Sequence, residues 1–295
     1  MEGQALDSVR ACSYALGGWG KSTGLGLEYT HTTVPTIDLG TSQLLLDVDP
    51  PLAWVTFNRP EARNAMTWAM YDGLVRACEE VDATEGVRVF LLTGAGEQAF
   101  VAGTDIAQFR DFKNEQDALD YEDRMEEVVA RLEAVRCPTI AVIRGYAVGA
   151  GAAIATACDL RVCATDLQFG VPIARTLGNT LNMGNFRRLV ALVGPSRAKD
   201  LMFTARLIDA EEARLAGVAN AIVPPDELRE RAIAMALSIA GNAPLTVDAS
   251  KEAINRIARG QDEGADLILR CYTSHDFQEG VAAFMGKRKP RWEGR

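Results

Sequence analysis

The sequence predicts an α/β protein in which strand–turn–helix units are followed by a helical C-terminal region. Two apolar runs, Val87–Thr93 and Thr139–Ile143, have the length and composition of buried strands, and each is followed by glycine-containing segments. Helical periodicity separates and follows them, and beyond Gly194 only helical patterns recur. Alternation of strands and helices of this kind is typical of α/β architectures.

The central feature of the sequence is the segment 145–158, fourteen residues without a charge between Arg144 and Asp159. It is too short to span a membrane. Its Gly and Ala residues suit a tight turn into a closely packed helix. Taken alone, such a segment is more often a core helix of small residues than a functional one. A helix N-terminus there would nevertheless offer free backbone N–H groups, which can stabilise an oxygen that gains negative charge during a reaction.

A second glycine turn gives the first one a partner. The run Val87–Thr93 leads to Gly94-Ala95-Gly96 and then to the segment 100–106, Phe-Val-Ala-Gly-Thr-Asp-Ile. Both places have the pattern of a strand, a glycine turn and a helix start. One N–H group from each turn, brought together, could bind a single oxygen atom.

The remaining elements follow in order. Strands at Leu44–Asp49 and Ala53–Asn58 flank Pro50-Pro51, which predicts a hairpin turn. A helix follows with a buried stripe formed by Met66, Met70, Leu74 and Cys78, and with Arg76, Glu79 and Glu80 facing water. A long helix is predicted over Glu115–Val135, with an inward stripe of Met125, Val128, Val129, Leu132 and Val135 and a solvated acidic face of Glu122, Asp123, Glu126 and Glu127.

The C-terminal half contributes one more strand and then mainly helices. Leu160–Ala164 has a strand pattern, and Phe169–Asn185 is predicted to be a pocket-lining loop and helix. Four helices are expected beyond Gly194, at Ser196–Phe203, Asp209–Leu215, Pro225–Ala240 and Thr246–Arg259. We therefore predict a poorly ordered N-terminal extension (1–42), a core (43–194) and a helical C-terminal region (195–295).

Composition excludes several classes of function. A chain of 295 residues with 48% hydrophobic residues has ample material for a core, and its formal charge of -9 argues against a nucleic-acid surface. The six cysteines contain no C-x-x-C pair, and only His31 and His275 are histidines, so no metal site, disulfide framework or Ser-His-Asp triad is indicated. We expect no signal peptide, no membrane span and a reducing cytoplasm.

Both glycine turns carry motifs of a known family. The segments 100–106 (F-x-A-G-x-D-I) and 145–151 (G-Y-A-x-G-x-G) resemble those that hold the thioester carbonyl in the crotonase superfamily, the enoyl-CoA hydratase/isomerase family. Further landmarks lie in the same order over roughly residues 44 to 292: Asn58–Met66, Cys158–Arg161, Phe169–Pro172, Glu279–Phe284 and Lys287–Pro290. Several motifs in the right order and spacing make the resemblance specific.

The resemblance implies a crotonase-like spiral of ββα units and an acyl-CoA substrate. The backbone N–H groups of Thr104 and Ala150 would bind the thioester oxygen. No cofactor beyond the coenzyme A of the substrate is implied, and residues 195–295 would pack on neighbouring subunits in a homotrimer or a dimer of trimers. The substrate-binding positions implied by the motifs are Arg63, Ala102, Gly103, Asp105, Ile106, Tyr146, Gly149 and Pro172, with Phe284 and Lys287 on the pyrophosphate and adenine side of CoA.

The catalytic positions depart from the family pattern. Hydratases of the family use two glutamates, which handle the water and the proton at the α carbon. The matching positions here are Ala153 and Ile173, and no Asp or Glu occurs between Ala134 and Cys158 or between Leu167 and Lys199. Ordinary two-glutamate hydration is therefore not expected, whereas binding and enolate stabilisation are.

Two alternatives follow from this departure. Arg175 and Asn179, four apart on a predicted helix, could grip the extra carboxylate of a carboxylated acyl-CoA in a decarboxylase or hydrolase. A structural ion pair of Arg175 with Asp105, Asp159 or a neighbouring chain is the favoured reading of that arginine. The other alternative is a catalytically silent acyl-CoA binder.

Overall fold

Two mainly parallel sheets organise the chain in a computed structural model that describes residues 37–295. The larger sheet has the strand order β1-β2-β3-β5-β7-β10 and the smaller one β4-β6-β8-β9. The strands are β1 (Leu44–Asp49), β2 (Leu52–Phe57), β3 (Val89–Gly94), β4 (Ala99–Ala102), β5 (Thr139–Ile143), β6 (Tyr146–Val148), β7 (Leu160–Ala164), β8 (Gln168–Gly170), β9 (Ile208–Asp209) and β10 (Ala221–Val223).

Ten α-helices surround these sheets in the described part of the chain. They are α1 (Trp68–Ala83), α2 (Glu115–Glu133), α3 (Ala150–Ala157), α4 (Ile173–Thr176), α5 (Met183–Thr204), α6 (Ala210–Leu215), α7 (Leu228–Ala240), α8 (Pro244–Ala258), α9 (Ala265–Tyr272) and α10 (His275–Met285). A short 3-10 helix covers Ile106–Asp111. The prediction of an α/β fold with a helical C-terminal region is confirmed.

The larger sheet forms the buried centre of the fold. β1 and β2 pair antiparallel around Pro50-Pro51, as the sequence predicts, and every other neighbouring pair in this sheet is parallel. All five residues of β5 are buried. A parallel strand covered on both faces is a continuous apolar run, which is why β5 is found at its predicted bounds. The strand β7, which contains the buried Arg161, is also found at its predicted bounds.

The helices α1 and α2 carry the predicted apolar stripes, but the acidic face predicted for α2 is only partly solvated. The stripes of α1 and α2 are buried, and Asp123 and Glu127 are exposed. Glu122 and Glu126, however, are only half-exposed. Glu126 Oε2 accepts a hydrogen bond of 2.8 Å from the buried Arg188 of α5, and Glu122 faces a cavity. The prediction that both are solvated is therefore wrong, because α5 packs over this side of α2.

The sequence does not predict the smaller sheet, because strands of two to four residues are too short to show a period. It changes the second glycine turn: the chain turns at Gly145 (φ 64), runs through β6, and begins α3 only at Ala150. A side chain at Gly145 would overlap the carbonyl oxygen of Gln98, so this turn requires glycine.

Structural features lie near the two predicted domain boundaries, the second of which falls inside α5. Residues 1–36 of the predicted extension lie outside the described residues, but Leu39 is buried (1% exposed) and Ile37 donates a 3.1 Å hydrogen bond to Leu46, so residues 37–42 belong to the core. Near the second boundary, α5 is kinked at Gly194 (φ 76), which precedes Pro195.

No single helix within residues 37–295 is long and apolar enough to cross a bilayer, although the bent pair Pro225–Ala240 and Pro244–Ala258 is long and apolar enough by length and composition alone.

Candidate active site

An apolar cavity of about 250 Å³ lies between α1, α2 and α3 and the segment that follows β8. Residues from five stretches of the chain line it, and its apolar wall includes Ile106, Phe109, Met125, Val129, Ile154, Leu177 and Leu181. A neighbouring cavity of about 330 Å³ shares Tyr121 and Glu122 with it. Concave, mainly apolar cavities with a few polar groups are typical ligand sites.

Both glycine turns open onto this cavity. β4 and β6 pair in parallel with Ala102 opposite Val148, so the next residues, Gly103 and Gly149, leave the sheet at the same edge. Both have positive φ (102° and 58°), and a Cβ on Gly149 would lie 3.5 Å from the Cα of Gly103. The two turns therefore touch through their backbones, and Thr104 and Ala150 follow side by side.

The backbone N–H groups of Thr104 and Ala150 are free to donate hydrogen bonds to a ligand. Their neighbours in the chain are bonded, since Asp105 N–H donates to Met66 and Gly149 N–H donates to Gly170. Within residues 37–295, neither the Thr104 N–H nor the Ala150 N–H has an acceptor. Ala150 is the first residue of α3, where free N–H groups are expected. Two unpaired donors at the edge of an apolar cavity can bind an oxygen atom of a ligand.

The Thr104 side chain is held by two tyrosines. Its Oγ1 lies 2.7 Å from the Tyr71 hydroxyl and 3.0 Å from the Tyr121 hydroxyl. Burial raises the pKa of both tyrosines, so their hydroxyls stay protonated at neutral pH. Tyr71 comes from α1 and Tyr121 from α2, so this network ties the first glycine turn to both helices.

The positions of the two family glutamates lie at the cavity, and Glu122 lies there too. Ala153 and Ile173 both line the cavity. Among the described residues that line it, Glu122 is the only one with a charged side chain. Desolvation raises the pKa of this carboxyl, opposed by hydrogen bonds from Asn182. The sequence reasoning missed Glu122, although it lies three residues before Met125 and seven before Val129, in register with the buried stripe.

Arg175 is not in the cavity. The helix α4 ends at Thr176, and Gly178 (φ 74) changes the direction of the chain before Asn179. Of the two residues, only Asn179 lines the cavity, and Arg175 is exposed. The prediction of an arginine in an apolar pocket is therefore wrong. The intrachain ion pairs suggested for it are also wrong, because Asp105 binds Arg59 at 2.8 Å and Asp159 binds Lys251 at 2.8 Å.

The other predicted positions divide into three groups. Ala102, Gly103, Ile106, Gly149 and Pro172 line the cavity. Asp105 is used structurally: its carboxylate accepts hydrogen bonds from Ala107 N–H and from Arg59, which lower its pKa. Four others lie outside the cavity lining and are exposed, namely Arg63, Tyr146, Phe284 and Lys287, with the Arg63 guanidinium 5.7 Å from the Tyr146 ring centre.

The side chains of residues 37–295 form no group of three or more His, Cys, Asp or Glu residues that could hold a metal ion.

The paired sheets and the glycine turns at their edge define a crotonase-type α/β fold. A profile of the family described as enoyl-CoA hydratase/isomerase matches residues 49–295. The chain belongs to this family of acyl-CoA enzymes, as the motifs predicted.

Individual relatives agree with this assignment. The chain is 36% identical over 256 residues to a short-chain-enoyl-CoA hydratase of Clostridium acetobutylicum, covering 84% of this chain and 96% of the relative. It is 35% identical over 251 residues to a crotonyl-CoA hydratase of Syntrophomonas wolfei, covering 83% and 96%. A crystal structure of an enoyl-CoA hydratase/carnithine racemase from Magnetospirillum magneticum is similar with a TM-score of 0.81 and 32% identity, covering 86% and 97%.

Proposed function

We propose that this enzyme binds an acyl-CoA thioester and stabilises its enolate through the backbone N–H groups of Thr104 and Ala150. The observation that carries the proposal is the pair of unbonded N–H groups on two touching glycine turns at the edge of one apolar cavity. Donors preorganised in a water-poor site stabilise a developing oxyanion strongly, since each one is worth about 2.7–4 kcal/mol in a well-studied case.

The acyl group would occupy the cavity. Its wall is apolar and aromatic, and Phe109, Tyr121 and Leu177 also line the neighbouring cavity. Such a wall favours an apolar or aryl acyl group over a carboxylated one, and the exposure of Arg175 removes the support for a decarboxylase or hydrolase that grips a second carboxylate. The reaction needs no cofactor beyond the CoA of the substrate, whose pyrophosphate and adenine side we assign to Phe284 and Lys287.

Efficient hydration is not expected of this site. Ala153 and Ile173 stand where the family hydratases have glutamates, and loss of a positioned acid–base group typically lowers a rate by about 10² to 10⁴. Crotonyl-CoA should therefore be hydrated slowly, and the Syntrophomonas wolfei relative named as a crotonyl-CoA hydratase serves as the positive control.

We also propose a homotrimer or a dimer of trimers. The C-terminal helices α8, α9 and α10 expose large apolar side chains, among them Ile257 (71%), Tyr272 (63%) and Met285 (79%). Exposed apolar surface of this kind is typical of protein–protein interfaces. Native mass spectrometry tests this, and a monomer would contradict it. A reducing cytoplasm stays a prediction from the sequence.

Absorption spectroscopy tests the carbonyl site. Cinnamoyl-CoA has a thioester conjugated to an aryl ring, so polarisation of its carbonyl oxygen should shift its absorption band to longer wavelength on binding. The saturated 3-phenylpropanoyl-CoA lacks that conjugation and controls for protein absorbance. If protein fully occupied by cinnamoyl-CoA shows the same absorption band as the free ligand, the carbonyl is not polarised. Only the hypothesis of a catalytically silent acyl-CoA binder would then remain.

A further inference from the structure

Glu122 is placed in the cavity with one free oxygen. Its Oε2 accepts hydrogen bonds from the Asn182 backbone N–H (3.1 Å) and from Asn182 Nδ2 (3.2 Å). Among residues 37–295, no donor contacts Oε1. Glu122 lines the same cavity as Thr104 and Ala150, and it also lines the neighbouring cavity.

The orientation of Asn182 is fixed independently of Glu122. Asn182 caps α5, and its Oδ1 accepts a hydrogen bond of 2.9 Å from the Asn185 N–H. The opposite end of the same amide, Nδ2, is therefore turned to Glu122, where it also donates to the Glu122 backbone carbonyl at 3.3 Å. A residue 60 positions away along the chain thus holds the carboxylate in one orientation.

The groups that face Glu122 raise the pKa of its carboxyl above the ordinary value, because burial disfavours the charged form. From α1 it meets Tyr71, and Tyr121 precedes it on α2, both neutral; α3 presents only apolar residues such as Ala153 and Ile154. The charged side chains nearest along α2 are paired elsewhere, Arg124 with Asp72 and Glu126 with Arg188. No cation among the described lining residues opposes the upward pKa shift caused by desolvation.

We infer that Glu122 is the catalytic base that takes the α proton of the bound thioester, in place of the two absent family glutamates. This rests on the proposed function, because the proton is acidic only while the carbonyl oxygen is bound at Thr104 and Ala150. The Glu122 carboxylate gains the proton, the C–H electron pair forms the enolate C=C bond, and the carbonyl π pair moves onto the oxygen. Return of the proton to the α carbon restores the substrate, and return to the γ carbon of an unsaturated acyl group isomerises it.

A site with Glu122 as its single acid–base residue suits some reactions of an acyl-CoA better than others. A single carboxyl can move a proton between two carbon atoms of one acyl group without any further acid–base residue. Addition of water also requires a group that orients and activates the water molecule. Glu122 therefore favours proton exchange and double-bond isomerisation over hydration at this site.

Deuterium exchange at the α carbon of 3-phenylpropanoyl-CoA in D₂O, followed by NMR, tests Glu122 directly. Wild-type protein should catalyse exchange, and Glu122→Gln should slow it by about 10² to 10⁴. Gln keeps an oxygen that can accept from Asn182, so folding should survive. Glu127→Gln, on the exposed face of the same helix, is the matched control and should exchange at the wild-type rate.

Asn182→Asp gives a second variant with a different readout. Asp keeps the helix cap but replaces the Nδ2 donor with a negative charge beside Glu122. The pH midpoint of the exchange rate should therefore move upward, since repulsion favours the protonated carboxyl. A merely structural role for Asn182 would lower the rate at every pH without moving the midpoint.

The cinnamoyl-CoA band separates the two claims. If wild-type protein and Glu122→Gln both shift the band, and exchange is absent in the wild type or unchanged in the variant, the Glu122 assignment is wrong while the carbonyl site stands. If the wild type binds cinnamoyl-CoA without a shift, the carbonyl site is wrong and the Glu122 assignment falls with it.

Discussion

The two glycine turns present equivalent N–H groups but are held in place by different means. The first turn, at Gly103 and Thr104, is held by side chains in addition to backbone bonds to Met66, because the Thr104 hydroxyl is hydrogen-bonded to tyrosines of α1 and α2. The second, at Gly149 and Ala150, has no polar side chain and leads into α3, whose residues are small and mostly buried. A Cβ on Gly151 would overlap the Val101 carbonyl oxygen of β4, so contact between backbones fixes this turn.

The difference shows what each turn tolerates. A turn held by hydrogen bonds should lose stability when a donor or acceptor is removed, whereas a turn held by close packing should lose it when volume is added. Substitutions that remove a polar atom should therefore affect the first turn, and substitutions that add a methyl group should affect the second.

The largest effect is expected from Gly151→Ala. The added methyl group meets backbone atoms of β4, which cannot rotate away, so α3 must move from the sheet at a cost of about 3 kcal/mol in the free energy of unfolding. Chemical denaturation measures this cost. Gly241→Ala is the control, because Gly241 has a helical φ of -76° at the end of α7 and a methyl group there would lie no closer than 3.5 Å to its neighbours. Equal stability of Gly151→Ala and Gly241→Ala would show that α3 is not packed as described.

A smaller effect is expected from Thr104→Val, which keeps the shape and removes the hydroxyl. Tyr71 is only 1% exposed, so loss of the 2.7 Å bond between its hydroxyl and Thr104 should cost about 1–3 kcal/mol. Thr104→Ser should keep the bond and most of the stability. In the double variant Thr104→Val with Tyr71→Phe, part of the loss should be recovered. Strict additivity of the two single changes would contradict a direct bond.

The sequence allowed the backbone of this site to be predicted better than its side chains. The motifs at 100–106 and 145–151 identify both turns, because positive φ and close backbone contact demand glycine. The contributions of Tyr71, Tyr121 and Glu122 could not be placed, since they depend on how α1 and α2 pack over the turns. Arg175 was misplaced for a related reason: Gly178 ends the helical path on which its alignment with Asn179 depended.

The smallest effect concerns the charge on the α2 side of the cavity. The pKa of Glu122 is raised in the folded state, so the folded protein binds this proton more tightly than the unfolded chain, and ionisation destabilises the fold as pH rises. Glu122→Gln should therefore gain melting temperature relative to wild type above that pKa, with the difference shrinking toward acidic pH. Glu127→Gln should show no such trend, and a gain confined to acidic pH would contradict the sign of the shift.

The central claim is that the N–H groups of Thr104 and Ala150 bind one and the same carbonyl oxygen. Difference infrared spectroscopy of an acyl-CoA labelled with ¹³C at the thioester carbonyl measures this without any substitution. Hydrogen bonds from Thr104 and Ala150 should lower the carbonyl stretching frequency of the bound ligand below its value in water. A saturated complex whose carbonyl frequency equals that of the free thioester would contradict the account.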